Sequence, residues 1–368
     1  MENKYEGRKT RNFGIDLLRI IAMFYVLVLH TLRYGGVLDS FSPGSLKWSI
    51  LWFIEIWAYC SVNLFGLITG YVGFSETKKR SNYTNLGVLW GQIVFYGIVV
   101  ALIYNVIQPS SVTKADIIEK IFPLTNYHYW YFTAYTGLMI VKPCIDSFLR
   151  NASPKMLKKL FVVIIVVFSF YESVTKHFWF NNGYSFIWLV ILYILGAIIK
   201  KCEIWSNLPV RTCFFLIFLF VLIKWILVRF MFTFTFFRVI YDSSMVTTIY
   251  PEILFSGIFH LLLFKKINLP ESWTKIISIV TPSVFSAYIL NCHINIWYSF
   301  VDQFIMSNNT PMIKALCIPL GFAFLFLAGS ILVDQIRIAV FNKLHIKEFM
   351  SKLDMLAHAF VDAAIEKI

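Results

Sequence analysis

The segment from residue 13 to 34, FGIDLLRIIAMFYVLVLHTLRY, is apolar over a length that crosses a bilayer, yet it contains Asp16, Arg19 and His30. A charged side chain inside a membrane helix costs roughly 2.5–3.5 kcal/mol, so such residues are candidates for function. On a helix, Arg19 and His30 lie about 20° apart around the axis and roughly 16 Å apart along it. One face of this helix therefore presents a cation near its start and an imidazole near its end.

Apolar runs of similar length recur along the chain, and 58% of its 368 residues are hydrophobic while only 14% are charged. This composition is typical of a membrane protein and not of a soluble core. We predict an all-α integral membrane protein, a bundle of about ten transmembrane helices. The predicted spans are 13–34, 48–73, 84–107, 129–149, 157–175, 183–200, 210–231, 246–265, 275–302 and 312–341.

The distribution of Lys and Arg between the predicted loops indicates the orientation. The two tails and the even-numbered loops carry 22 of these residues, whereas the odd-numbered loops carry 8. By the positive-inside rule, both termini are expected to be cytoplasmic. We divide the chain into a cytoplasmic N-terminal tail (1–12), a ten-helix membrane domain (13–341) and a cytoplasmic tail (342–368).

The tail 342–368 has apolar residues at helical spacing with Lys and Glu opposite, which is typical of an amphipathic helix. It is expected either to lie along the inner membrane surface or to pack on the bundle.

Two further features of the composition exclude classes of protein. The formal net charge of +13 is accounted for by the loop asymmetry, so we expect no nucleic-acid partner. The six cysteines show neither a metal-ligand spacing nor a disulfide framework, so we expect no metal.

In this orientation, several polar side chains from different helices fall into one layer in the outer half of the bilayer. Glu55, for example, lies at about the depth of His30. Such a layer is expected to line a polar cavity open to the outside. Its candidate residues are His30, Glu55, His128, Trp130, Glu252, Asn291, His293 and Asn295.

Each of these candidates has a structural alternative. His30 could be an interfacial histidine, Arg19 could snorkel to the inner headgroups, and Asp16 could be only its ion-pair partner. For His128, His293 and Glu252 the structural interpretation is favoured over the catalytic one. Lys224, deep in the seventh span, has no evident partner.

The spacing of Arg19 and His30 matches a coenzyme A thioester, which has phosphates at one end, a long pantetheine arm and a reactive acyl group at the other. Lys78, Lys79 and Arg80 in the second loop would bind the phosphates. His30 would act as a general base on an acceptor hydroxyl or carry the acyl group covalently. Either role moves an acyl unit from a cytosolic donor to an acceptor presented from outside.

Residues 15–30, IDLLRIIAMFYVLVLH, resemble the first-helix signature of the membrane acyltransferase-3 family, in which ten residues separate a basic residue from a histidine. Further segments resemble later motifs of that family in the same order. They are NLFGLITGY (63–71), HYWYFTAYTGLMIVKP (128–143), SVFSAYILNCH (283–293) and SILVDQIR (330–337).

This resemblance implies an O-acyltransferase of the bacterial plasma membrane, with acyl-CoA, usually acetyl-CoA, as donor and a surface or exported polysaccharide as acceptor. It assigns His30 as a catalytic residue and Arg19, with Asp16 beside it, to the donor side. We add Glu55 as a second catalytic residue, and Trp130, Glu252, His128 and His293 as substrate-binding residues. Membrane lipid and a glycan acceptor are the expected partners.

The sequence departs from the family pattern at two places. Many members have an Arg-x-x-Arg pair after the second helix, but the corresponding stretch here, KKRSNYTN (78–85), has none. Many members also have a C-terminal esterase-like domain, and we expect none here. We therefore expect that the chain completes transfer alone or that a separate extracellular protein finishes it.

A transporter or flippase for a polysaccharide precursor or an acyl compound is the alternative, because charged residues inside a multi-helix bundle are common in transporters. A transporter needs no thioester donor, so the shared face of Arg19 and His30 favours the enzyme.

Overall fold

The computed structural model describes residues 11–77, 82–109, 114–125, 129–233 and 246–365, and this part of the chain is helical with no β-strand. A π-helical stretch, Ile164–Tyr171, connects two of the helices. The α-helices, numbered in chain order, are α1 (Phe13–Arg33), α2 (Leu46–Ala58), α3 (Ser61–Gly73), α4 (Thr84–Ile107), α5 (Lys114–Ile121), α6 (Trp130–Asn151), α7 (Pro154–Val163), α8 (Glu172–Thr175), α9 (Phe186–Lys201), α10 (Val210–Thr233), α11 (Pro251–Phe264), α12 (Glu271–Val280), α13 (Val284–Asn291), α14 (Ile294–Tyr298), α15 (Met312–Lys343) and α16 (Ile346–Ile365).

Within the described ranges, six helical stretches are long and apolar enough to cross a membrane, and each coincides with a predicted span. The prediction of a multi-pass, all-helical membrane protein is therefore confirmed. These stretches are Phe13–Ser40, Leu46–Gly73, Thr84–Ile107, Val210–Met231, Glu271–Asn291 and Met312–Lys343.

The other four predicted spans are helical but are shorter or carry more charge. Helices α9 and α11 have 16 and 14 residues. Helix α6 is 22 residues long but contains the ion pair Lys142–Asp146. The span predicted at 157–175 is divided between α7, the π-helical stretch and α8.

The prediction of one continuous helix over 275–302 is wrong. A 3-10 turn around Pro282 joins α12 to α13, because proline lacks an amide N–H and disfavours a continuous helix. The chain leaves the helix again after Asn291, where His293 has an extended backbone and caps the short helix α14. The second predicted span is likewise divided into α2 and α3.

Helix α1 lies at the centre of the bundle, where it contacts α2, α3, α11, α12, α13 and α15. Its start is fixed by Asn12, whose side chain accepts a hydrogen bond from the Ile15 amide at 3.0 Å. Gly14 allows the backbone of α11 to approach closely, since a Cβ there would lie 2.0 Å from the Phe264 carbonyl oxygen. Helix α1 is therefore fixed among its neighbours, with Arg19 and His30 both partly buried.

Helices α3 and α9 pack backbone to backbone through glycines. A Cβ on Gly70 would lie 1.9 Å from the carbonyl oxygen of Tyr193, and one on Gly196 would lie 2.1 Å from that of Leu67. Small residues at such crossings are the usual means by which membrane helices approach closely.

Buried polar side chains connect other helices. Asp334 of α15 is fully buried and accepts hydrogen bonds from Gln92 and Tyr96 of α4 at 3.1 and 2.8 Å, besides pairing with Arg337. Because each of these buried polar side chains has a hydrogen-bond partner, the cluster fixes α15 against α4.

The C-terminal helix α16 packs on the start of α4. Asp354 accepts hydrogen bonds from the amide of Tyr83 and the hydroxyl of Thr84, both at 3.2 Å. Met350 lies against Gly87. The opposite side of the helix is exposed and apolar, at Phe349, Leu353, Leu356 and Phe360. The amphipathic helix that the sequence predicts is thus present and is packed on the bundle by one face.

Candidate active site

His30 lies in the last turn of α1 and forms a hydrogen bond through Nδ1 with the side-chain oxygen of Asn291. Asn291 is the last residue of α13 and is 2% exposed. An amide oxygen only accepts hydrogen bonds, so Nδ1 carries the proton and Nε2 keeps its lone pair. This arrangement leaves Nε2 available as a base or nucleophile.

Two aromatic rings enclose the imidazole of His30. The ring centroids of Trp297 and Tyr34 lie 5.1 and 5.7 Å from that of His30, both edge-on, and 4.8 Å from each other. Trp297 belongs to α14, so the break in the helix at residues 292–293 is what brings it here. The orientation of the ring is therefore set by one hydrogen bond and two aromatic contacts.

At the other end of the same face, Asp16 binds both Arg19 and Arg11. The carboxylate is buried, whereas the side chain of Arg19 is 31% exposed. The structure thus pairs Asp16 with Arg19 as well as with Arg11. A role of Arg19 and Asp16 in binding a donor stays a prediction.

Tyrosines of α6 and α13 form a row of neighbouring rings. Tyr135 lies within electrostatic reach of Arg19. Its ring stacks on Tyr131 with 6.5 Å between centroids, and Tyr131 in turn lies 6.3 Å from Tyr288. Tyr288 is three residues before Asn291 on α13, so this row of rings runs from the Arg19 end towards His30.

Glu55 of α2 is 0% exposed, and neither carboxylate oxygen has a hydrogen-bond partner in the described part of the chain. Arg33, one turn beyond His30 on α1, is the cation that acts on it. The phenols of Tyr59 and Tyr184 lie within electrostatic reach of Arg33 and are 3.4 Å apart. Glu55 forms no hydrogen bond with His30, and its predicted catalytic role stays a prediction.

Trp130 lies beside this group, because its ring is edge-on to Tyr184 at 5.1 Å. Glu252 is placed elsewhere, within electrostatic reach of the buried Lys224. The Lys224 ammonium lies 3.3 Å from the ring centroid of Tyr250. The structure thus gives Lys224 the partners that the sequence did not reveal.

His293 caps α14, where its Nδ1 accepts the amide N–H of Asn295 at 3.4 Å. This contact gives His293 a structural role, and its role in substrate binding stays a prediction. Lys78, Lys79, Arg80 and His128 lie outside the described residues. The described ranges contain no group of His, Cys, Asp and Glu side chains that could hold a metal ion.

Several residues of this region had no catalytic or binding role assigned from sequence, among them Asn291, Arg33, Tyr184 and Trp297. Asn291 was placed in the outer layer by its position on the ninth predicted span, but nothing in the sequence pairs it with His30. Arg33 falls at the end of an apolar run, where a loop cation is the ordinary interpretation.

A family model described as an acyltransferase domain, of the acyltransferase-3 family, matches residues 12–335. The chain belongs to this family. No curated protein and no solved structure gives a match. Family membership together with the six apolar stretches makes the protein a multi-pass membrane acyltransferase.

Proposed function

We propose that this protein is an O-acyltransferase that moves an acyl group, acetyl in the first instance, from cytosolic acyl-CoA to a hydroxyl of a cell-surface or exported polysaccharide. One observation carries the proposal. His30, with Nδ1 bound to Asn291, lies on the same face of α1 as Arg19, eleven residues away, which is a distance of about 16 Å along the helix.

The donor would lie along this face. Its phosphates would bind Lys78, Lys79 and Arg80 together with Arg19, since basic side chains favour phosphate oxygens. The pantetheine arm would follow the row of tyrosines from Tyr135 to Tyr288. The thioester carbonyl would then reach His30.

The transfer needs one base. The Nε2 atom of His30 accepts the proton of the acceptor hydroxyl while that oxygen attacks the thioester carbonyl. The carbon–sulfur bond breaks, and the imidazolium returns the proton to the leaving thiolate. The products are an ester and free CoA. The hydrogen bond of Nδ1 to Asn291 strengthens as the imidazole becomes positively charged.

The wider arrangement is part of the proposal. The helical segments at 129–149, 157–175, 183–200 and 246–265 would cross the bilayer as well, giving ten crossings with both termini in the cytoplasm. The loop asymmetry of 22 against 8 basic residues supports this topology. The enzyme would then work in the bacterial plasma membrane, alone or with a separate extracellular protein that completes the transfer.

The test uses the purified full chain in lipid nanodiscs with acetyl-CoA and a polysaccharide fraction from the cell envelope. We expect release of free CoA and ester formation, both lost in His30→Ala. The control is His345→Ala, because that histidine is exposed and lies in the turn before α16. If His30→Ala retains turnover, the catalytic assignment is wrong. If the folded wild type never consumes acetyl-CoA or any other acyl-CoA, the transporter becomes the better hypothesis.

A further inference from the structure

The carboxylate of Glu55 needs a binding partner. It is buried on a membrane helix, and neither oxygen accepts a hydrogen bond from any described residue. A buried polar group without a partner is costly, and buried carboxylates normally accept hydrogen bonds. The four lone-pair positions of this carboxylate are therefore available to donors on a molecule that enters from outside the chain.

The surroundings of Glu55 offer both donors and acceptors. Arg33 supplies up to five N–H donors, and the charges of Arg33 and Glu55 act on one another. The phenols of Tyr59 and Tyr184 can each donate and accept. As a carboxylate, Glu55 balances the positive charge of Arg33.

Aromatic rings flank this group. Trp130 lies edge-on to Tyr184 at 5.1 Å between centroids. Tyr34 is half exposed, and its phenol lies within electrostatic reach of Arg33. The ring of Tyr34 also contacts His30 at 5.7 Å, so the group is continuous with the imidazole.

We propose that Glu55, Arg33, Tyr59 and Tyr184 form the subsite that binds the acceptor, and that the acceptor is a neutral sugar ring. A sugar hydroxyl both donates and accepts, so neighbouring hydroxyls satisfy Glu55 and Arg33 together. Aromatic walls with a few placed polar groups are the usual form of a small-molecule site. With the Glu55 carboxylate balancing Arg33, the group has no surplus cation to bind an anionic sugar such as a uronate or a sugar phosphate.

This inference rests on the proposed function, because the sugar is the acceptor of that reaction. It gives Glu55 a defined contact. The carboxylate binds one hydroxyl of the sugar, and the adjacent hydroxyl on the same ring is then presented to Nε2 of His30. It also accounts for the position of Arg33, which lies only three residues beyond the imidazole on α1.

The experiment titrates the full chain in nanodiscs with maltotriose, with chitotriose and with a trisaccharide of galacturonic acid, and measures binding calorimetrically. In parallel, acetyl-CoA binding is measured for every variant. We expect a neutral trisaccharide to bind, and its dissociation constant to rise at least tenfold in Glu55→Gln and in Tyr184→Phe. Acetyl-CoA binding should be unchanged in both.

The control is Glu172→Gln. Glu172 is also a buried carboxylate, but it already accepts the amide N–H of Phe178 at 2.9 Å, so its substitution should leave sugar binding unchanged. Retained acetyl-CoA binding shows that each variant is folded.

Three results overturn the inference: wild-type sugar affinity in Glu55→Gln, preference for the galacturonate, or no binding of either neutral trisaccharide. None of these depends on the turnover of acetyl-CoA. If sugar binding depends on Glu55 but His30 supports no CoA release, the subsite stands and the proposed function fails. If CoA release depends on His30 and Glu55→Gln has no effect, only the subsite fails.

Discussion

The hydrogen bond between Asn291 and His30 makes a quantitative prediction for Asn291→Ala. A neutral hydrogen bond contributes about 0.5–1.5 kcal/mol, whereas one to a charged group contributes about 1.5–3 kcal/mol. The imidazole is charged only while it holds the acceptor's proton, so the stronger bond exists only in that state. Only the difference between the two bonds, about 1–1.5 kcal/mol, acts on kcat, because Asn291→Ala also loses the neutral bond of the ground state. At about 1.4 kcal/mol per factor of ten, this difference lowers kcat roughly 5- to 13-fold.

The same reasoning predicts which parameters do not change. Asn291 is at the His30 end of the face and does not contact Arg19, so the KM for acyl-CoA should stay within about twofold of the wild type. Asn291→Gln keeps an amide oxygen on a longer arm and should recover part of the lost kcat. Asn151→Ala, at the exposed last residue of α6, is the matched control and should retain activity.

Steady-state CoA release in nanodiscs, with acyl-CoA varied at saturating acceptor, measures both parameters. The reasoning is refuted if Asn291→Ala keeps the wild-type kcat. It is also refuted if the only change is a higher KM for acyl-CoA, because the residue would then act on donor binding.

The remaining predictions concern the donor end, the helix packing and the tail. Arg19→Ala should raise the KM for acyl-CoA at least tenfold with little change in kcat, and an unchanged KM would remove Arg19 from the donor site. Gly70→Ala should destabilise the protein by about 1–3 kcal/mol, because its new methyl group meets the backbone of α9. Thermal unfolding in nanodiscs measures this loss of stability. The control is Gly329→Ala, whose new methyl group meets no atom within 4 Å and which should unfold like the wild type. Asp354→Ala should free α16 from the start of α4, since it removes two hydrogen bonds. Limited proteolysis should then cleave α16 faster than in the wild type. Equal cleavage rates would show that α16 is held by Met350 instead.

The first helix was the most predictable part of the fold. Its length and composition fixed a span, and the periodicity of the α-helix placed Arg19 and His30 on one face without knowledge of any neighbour. The six apolar stretches were predictable for the same reason, since a run of about twenty apolar residues has few alternatives to a membrane-spanning helix.

Breaks inside the apolar runs were not predictable from hydropathy alone. Pro282 and His293 interrupt the ninth predicted span through backbone geometry, which an average over twenty residues does not register. That error had a consequence for the site, because the break after Asn291 is what turns Trp297 towards His30.

Partners that are distant along the chain were also out of reach. The sequence placed Glu55 at the depth of His30, but the cation that acts on it, Arg33, looked like an ordinary loop residue. Asn291 is 261 residues from His30, and only the packing of α13 on α1 joins them. Depth is set by local sequence, whereas pairing is set by how the helices pack.

The most direct test of the central claim is transfer across the membrane in inverted vesicles that contain the full chain and a lumenal polysaccharide acceptor. Radiolabelled acetyl-CoA is added outside, on the face that was cytoplasmic. We expect label in the lumenal polysaccharide and free CoA outside, both absent with His30→Ala. Label that never reaches the lumen, with the protein folded and acceptor present, would contradict it.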